Sequence, residues 1–298
     1  MLHLLLALTA ALAGPAAPAT VIGHSAEGRT IIAVDRGDPA ERPVMVVGCI
    51  HGNECAGMAV VRRLRRRPLP PHTRLLLIGC LDPDGRAGAG RLNGRGVDLN
   101  RNFPAGWRLR GRPWSVEYSG PRPLSEPETR AAASLIRRTD PTVTVWFHQH
   151  MGLVWAWGPS RAAGAAYARI AGMRFAPLPW LAGTAPHWQN ATLHRRAFVV
   201  ELPAGPMPEP AVHRHVRAVL RLARRMGGAT GSAPLFRRRP RIRAWRFRCS
   251  CSPTFWAVCR PATCWCGGRP AATFVRPIRA APALATPVGW PDAESLRR

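Results

Sequence analysis

Two short runs of β-prone residues between Thr20 and Val34 flank the turn-forming stretch Ser25-Ala26-Glu27-Gly28, which predicts a β-hairpin. The pattern then changes. Pro43 to Ile50 (Pro-Val-Met-Val-Val-Gly-Cys-Ile) and Thr73 to Leu81 (Thr-Arg-Leu-Leu-Leu-Ile-Gly-Cys-Leu) are almost unbroken apolar runs. Strands read this way when a parallel sheet is covered on both faces. Glu54 to Arg67, lying between them, has helix-like content and completes a strand-helix-strand unit. Ser125-Glu126-Pro127-Glu128 puts a capping serine three residues ahead of a glutamate, with proline in the first turn. This predicts a helix running to about Arg138. Pro141 to Phe147 follows as a strand, Arg161 to Ala171 as a helix and Ala197 to Leu202 as a strand. Pro210 to Arg225 reads as an amphipathic closing helix with arginines on its outer face. The alternation predicts an α/β fold, three layers α/β/α, with a mixed, mainly parallel central sheet.

The two ends of the chain differ from this middle. Residues 2–13 form an apolar run too short to span a bilayer, and small residues follow through Ala19. We expect a signal peptide over 1–20, although the usual basic n-region is replaced by His3 alone. The expected location is therefore secreted or cell-wall associated, and no other stretch is apolar enough to make a transmembrane helix. From about residue 231 to 298 the composition shifts to arginine, proline, tryptophan and cysteine without sustained periodicity. A domain boundary is expected near 230, with residues 21–230 as the folded unit and a poorly ordered tail behind it. A cysteine-stapled module and an out-of-frame product are the alternatives for the tail.

The formal net charge is +27, and all 43 basic side chains are arginine, because the 298 residues include no lysine. Such an excess follows from GC-rich coding as readily as from function. It suits nucleic acid, an anionic wall polymer or an acidic membrane equally. No recognition motif accompanies it, so no specific nucleic-acid partner is expected. The eight cysteines fall into two groups, Cys49, Cys55 and Cys80, then Cys249, Cys251, Cys259, Cys264 and Cys266. Their odd numbers leave the pairing open.

Candidate chemistry begins at His51-Gly52-Asn53-Glu54, directly after the first buried run. There the chain leaves the carboxyl edge of the sheet, where open α/β proteins hold their ligands. A histidine and a carboxylate three apart can turn toward one point, and a third nitrogen from elsewhere would complete a zinc site with room for water. Trp146-Phe147-His148-Gln149-His150 offers two such nitrogens, two positions apart along a strand. Residues 90–104 form a polar, glycine-punctuated loop whose arginines and asparagines could hold a carboxylate and polarise a carbonyl. Glu201 stands inside an otherwise apolar run, where a carboxylate needs a partner or a purpose.

Four segments in order resemble the zinc carboxypeptidase family. They are His-Gly-Asn-Glu at 51–54, Gly-Val-Asp-Leu-Asn-Arg-Asn-Phe-Pro at 96–104, the stretch from Tyr118 to Thr129, and Phe-Val-Val-Glu-Leu-Pro at 198–203. The resemblance covers roughly Thr20 to Arg225. It implies one zinc ion per chain held by His51, Glu54 and His148, with His150 lining the cleft. It further implies Glu201 as general base, Arg91 as the group that polarises the scissile carbonyl, and Asn100 and Arg101 as binders of a substrate carboxylate. Two departures stand out. Asp82 precedes Pro83-Asp84-Gly85 where relatives commonly show asparagine, and with only Tyr118 and Tyr167 present the tyrosine of larger carboxypeptidases is not evident. The second departure is similar to the smaller bacterial branch of murein peptide amidases. The implied function is hydrolysis of an amide bond beside a free carboxylate in a cell-wall peptide. A general carboxypeptidase acting on protein C-termini and a non-catalytic binder of anionic wall polymer or nucleic acid are the alternatives.

Overall fold

The computed structural model describes residues 19–227. The expected leader, apart from Ala19 and Thr20, and the expected tail with its five cysteines lie outside these residues. Strands β1 (Ala19–His24) and β2 (Thr30–Gly37) form the antiparallel hairpin. β3 (Val44–Val47) leads through the loop carrying His51 and Glu54 into helix α1 (Gly57–Leu64), and β4 (Arg74–Ile78) returns parallel to β3. A short helix α2 (Pro83–Ala87) and a 3-10 turn at Leu99–Arg101 precede helix α3 (Pro127–Thr139). Then come β5 (Val143–Trp155), α4 (Arg161–Ala171), β6 (Arg174–Ala176), α5 (Ala185–Ala191), β7 (Arg196–Pro203) and α6 (Glu209–Gly227).

The seven strands make one sheet in the order β1-β2-β4-β3-β5-β6, with β7 also paired to β5. The hairpin joins β4 antiparallel, while β3, β4, β5, β6 and β7 pair in parallel. The sheet is thus mixed and mainly parallel. Alternate side chains serve opposite layers, as the period of two requires. Val44, Val46, Leu75 and Leu77 face α1, α4 and α6, whereas Met45, Val47, Leu76 and Ile78 face α3 and α5. All eight are buried. Within the first layer Tyr167 donates or accepts a hydrogen bond with His215 Nδ1 at 2.9 Å, which satisfies two polar groups in an apolar setting. Burial, aided by Arg214, lowers the His215 pKa to about 4.

Several details differ from expectation. α3 begins at Pro127 with Glu126 as the preceding cap position, not with Ser125. The Ser125 hydroxyl is used elsewhere, donating to Glu126 Oε1 at 2.6 Å and accepting from Asn102 Nδ2 at 2.9 Å. β5 continues eight residues past Phe147, because its second half finds a new neighbour in β6. α5 has no visible apolar period. Its buried face includes Gln189 and Asn190, and Gln189 bridges Trp146 Nε1 (2.8 Å) and Thr144 Oγ1 (2.7 Å) on β5. No described helix is long and apolar enough to cross a membrane.

Two contacts fix the loop after β3. A Cβ added to Gly52 would stand 1.9 Å from the Gly85 carbonyl carbon in α2, so only glycine lets the two backbones meet. Asp82 in turn caps α2, its Oδ1 accepting from the Gly85 amide at 2.9 Å. Its Oδ2 is buried and has no hydrogen-bond partner. Burial pushes the Asp82 carboxyl up to about 7, with the charges of Glu128 and Asp84 adding to the shift and the Gly85 amide opposing it. A folded pKa above the unfolded value of about 3.9 means stability is lost as pH rises through that interval. Asp82→Asn keeps the Oδ1 acceptor and removes the buried charge. Urea unfolding should show the variant more stable than the wild type at pH 8, by up to about 4 kcal/mol, with the gap closing near pH 4. Equal stability at pH 8 would contradict this account of Asp82.

Candidate metal centre

The parallel strands β3, β5 and β7 present their carboxyl ends along one edge, and the candidate residues collect there. His51 follows β3 by four positions, Glu54 opens the approach to α1, and His148 lies on β5 directly in register with Glu201 on β7. His51, Glu54 and His148 form a buried group in which one donor atom from each lies within 4.8 Å of the others. Glu54 Oε2 stands 3.1 Å from His51 Nδ1 and 2.9 Å from His148 Nδ1. The two imidazole rings are 4.8 Å apart, edge to face.

The outer nitrogens of both rings are already engaged. His51 Nε2 hydrogen-bonds Asp98 Oδ1 at 2.9 Å, and His148 Nε2 lies 3.3 Å from Asn100 Nδ2. Asp98 caps the 3-10 turn by accepting from the Asn100 amide, and Asn100 Oδ1 accepts from the Ala185 amide at the start of α5. The loop that supplies these partners therefore aims both rings through side chains that are themselves held by backbone amides. Arg91 closes the far side. Its guanidinium donates to Glu54 Oε1 and, at 3.0 and 3.2 Å, to Asp98 Oδ2.

The electrostatics follow from this packing. Burial alone would raise the Glu54 carboxyl, but the charge of His51 and the hydrogen bond from His148 hold it far below the usual range. Burial also works against ionised Asp98, and His51 and Arg91 overcome it in the same way. Glu201 differs. It is buried, its Oε2 lacks a hydrogen-bond partner, and burial with the Glu54 charge raises its pKa, opposed by His148 and His51.

The residues suit a divalent cation of zinc type. Two imidazole nitrogens and a carboxylate oxygen are the donors zinc prefers, and bonds of about 2.0 Å put tetrahedral donors roughly 3.3 Å apart. The distances of 2.9 and 3.1 Å come close to that. His51 Nδ1 is buried without a hydrogen bond, although its opposite nitrogen is held by a carboxylate, the arrangement that orients a metal-binding imidazole. Two other groups of potential ligands occur among the described residues. Cys49 and Cys55 are joined in a disulfide beside Cys80, and Asp38, Glu41 and His72 meet at 3.9 Å around an exposed imidazole. Neither matches the first in burial.

The remaining sequence candidates are placed unequally. His150 is exposed and outside the cluster. Arg101 is 3% exposed, its guanidinium donating to the Asn100 carbonyl (3.0 Å) and to Glu117 (3.4 Å). Asp98 and Glu117 were not singled out from sequence. Asp98 lies inside the loop motif, where its spacing of two from Asn100 was the available signal, whereas nothing local marks Glu117. The disulfide between Cys49 and Cys55 encloses His51 and Glu54, and Cys80 Sγ lies 3.6 Å from Cys49 Sγ.

Comparison with known proteins agrees with this geometry. The zinc carboxypeptidase model of peptidase family M14 matches residues 15–186, more than half of the chain. That span includes His51, Glu54, Arg91, Asn100, Arg101 and His148, and ends before Glu201. Murein peptide amidase A of Escherichia coli K12 is 33% identical over 121 residues, covering 37% of this chain and 50% of that protein. The carboxypeptidase N catalytic chain of Rattus norvegicus is 32% identical over 157 residues, covering 39% of this chain and 34% of that protein. This chain thus spans half the length of the first relative and about a third of the second. Among solved structures, the murein-tripeptide amidase of Escherichia coli O157 aligns with a TM-score of 0.58 at 27% identity, covering 70% of this chain and 94% of that one. Matched by its family model over more than half its length, with that family's fold and a buried His-Glu-His centre, the chain belongs to the zinc carboxypeptidase family.

Proposed function

We propose that this protein hydrolyses an amide bond beside a free carboxylate in a peptide derived from the cell wall, outside the cytoplasm. The observation that carries the reading is the convergence of His51 Nδ1, His148 Nδ1 and Glu54 on one point, with Glu201 in register beside His148. His51, Glu54 and His148 would hold one zinc ion, which supplies Lewis acidity and activates water at neutral pH. Glu201 takes a proton from the attacking water and later returns it to the leaving amine. Its unpartnered Oε2 and raised pKa suit a group that exchanges protons.

Arg91 commits three N–H groups to Glu54 and Asp98, so two of its five remain to polarise a carbonyl. Asn100 and Arg101 would bind the substrate carboxylate. Because Arg101 is buried against Glu117, that carboxylate reaches the guanidinium by taking the place of Glu117. Similarity to the murein amidase of Escherichia coli supports a wall peptide over protein C-termini. The disulfide supports an oxidising compartment.

A panel of L-alanyl-γ-D-glutamyl-diamino acid peptides and ordinary linear L-peptides tests the assignment. Release of the diamino acid from the first set, with the second set untouched, is expected. Cleavage confined to linear peptides would replace the proposal by a general carboxypeptidase, and cleavage of neither would favour a binding role. Glu201→Gln should lower kcat by about 10²–10⁴-fold while circular dichroism stays unchanged. An unaltered kcat would remove Glu201 from the mechanism.

A further inference from the structure

Arginines are distributed unevenly with respect to their partners. Over much of the described surface they meet acids. Arg29 pairs with Glu27 and Asp84, Arg42 and Arg195 with Asp140, Arg74 with Asp35, and Arg110 with Glu117. The layer built from α1, α4 and α6 is different. Its three helices contain a single acidic residue, Glu209, which is already paired with Arg63. Arg217, Arg221 and Arg224 are exposed along α6 at helical spacing of four and three, and form no ion pair among the described residues. A groove on one side of α6 is lined by these three together with Arg67, and a second groove on the other side by the same three with Arg169 and Arg225.

We infer that this face binds a flexible linear polymer that carries phosphate groups and no aromatic bases, such as a polyol phosphate chain. Side chains three and four apart on a helix lie about 5–6 Å from one another, so the α6 row offers closely spaced cations along a line. Arginine forks take phosphate oxygens in pairs. The grooves flanking that line suit a chain lying along the helix. Their linings are apolar only at residues such as Ile170, Val216 and Leu220, which are partly or fully buried. None of the exposed large hydrophobic residues, Val21, Ile32, Leu109, Trp114, Val116 and Trp157, belongs to α1, α4 or α6. Among the described residues neither groove is lined by Phe, Tyr or Trp, so the grooves offer no platform for stacking bases and no exposed apolar anchor for entering a bilayer. The helices form the sheet's opposite layer from α3 and α5, so the polymer would be held by residues separate from the metal cluster.

Binding of fluorescently labelled poly(glycerol phosphate) to the full chain tests the inference. Single-stranded oligonucleotide, duplex DNA and phosphatidylglycerol vesicles serve as competing anions, each measured across a salt series. Arg217→Gln/Arg221→Gln/Arg224→Gln is compared with the control Arg130→Gln/Arg137→Gln/Arg138→Gln on α3. The α6 variant should bind the polymer about tenfold more weakly and lose about 2 from the slope of log affinity against log salt, as three lost contacts to a single chain require. The α3 control should match the wild type. Equal weakening by both variants, no weakening by the α6 variant, or tighter binding of nucleic acid or vesicles than of the polymer would each overturn the inference.

Discussion

One carboxylate governs this structure. Glu54 is buried between two imidazoles and a guanidinium, and the two imidazoles offset the cost of burying its charge. A buried charge deprived of its partners costs several kcal/mol, on the order of a domain's whole stability margin. The surrounding architecture can be read as the means of delivering those partners. β3 supplies His51, β5 supplies His148, and the loop through Asp98 and Asn100 fixes the outer nitrogen of each ring. Gly52 and Asp82 then set the path of the chain between them.

The same arrangement explains why the site sits where it does. Parallel strands bring several carboxyl ends to one edge, and a side chain just beyond each end can face a common point. The pairing of His148 with Glu201 comes from the β5–β7 ladder itself, so the carboxylate proposed to handle protons stands beside a proposed ligand without any special loop. Trp146, tied to α5 through Gln189, shows how a polar tip in the core is satisfied while the apolar ring packs.

Much of this was legible from the residues. Apolar runs such as Val44–Val47 announced buried strands, and α4 began and ended where periodicity placed it. His51 and Glu54 were visible as a local motif. The second half of β5, β6 and α5 were not, because each is specified by a tertiary neighbour. β6 is three residues long, and the buried face of α5 includes polar residues satisfied across the sheet. The choice between His148 and His150 was open to residue spacing alone, since alternate positions on a regular strand share a face. Burial separates them, since His148 is enclosed in the cluster and His150 is exposed. The commitment of Arg101 to Glu117 depends on a contact sixteen residues away with no local signature.

The central claim is that His51, Glu54 and His148 form one zinc site. Elemental mass spectrometry of the purified full chain, beside its His148→Ala and His150→Ala variants, tests it most directly, with circular dichroism confirming that each is folded. The account predicts about one zinc per chain in the wild type and in His150→Ala, and loss of zinc in His148→Ala. A folded wild type without metal, or loss on replacing His150 in place of His148, would contradict it.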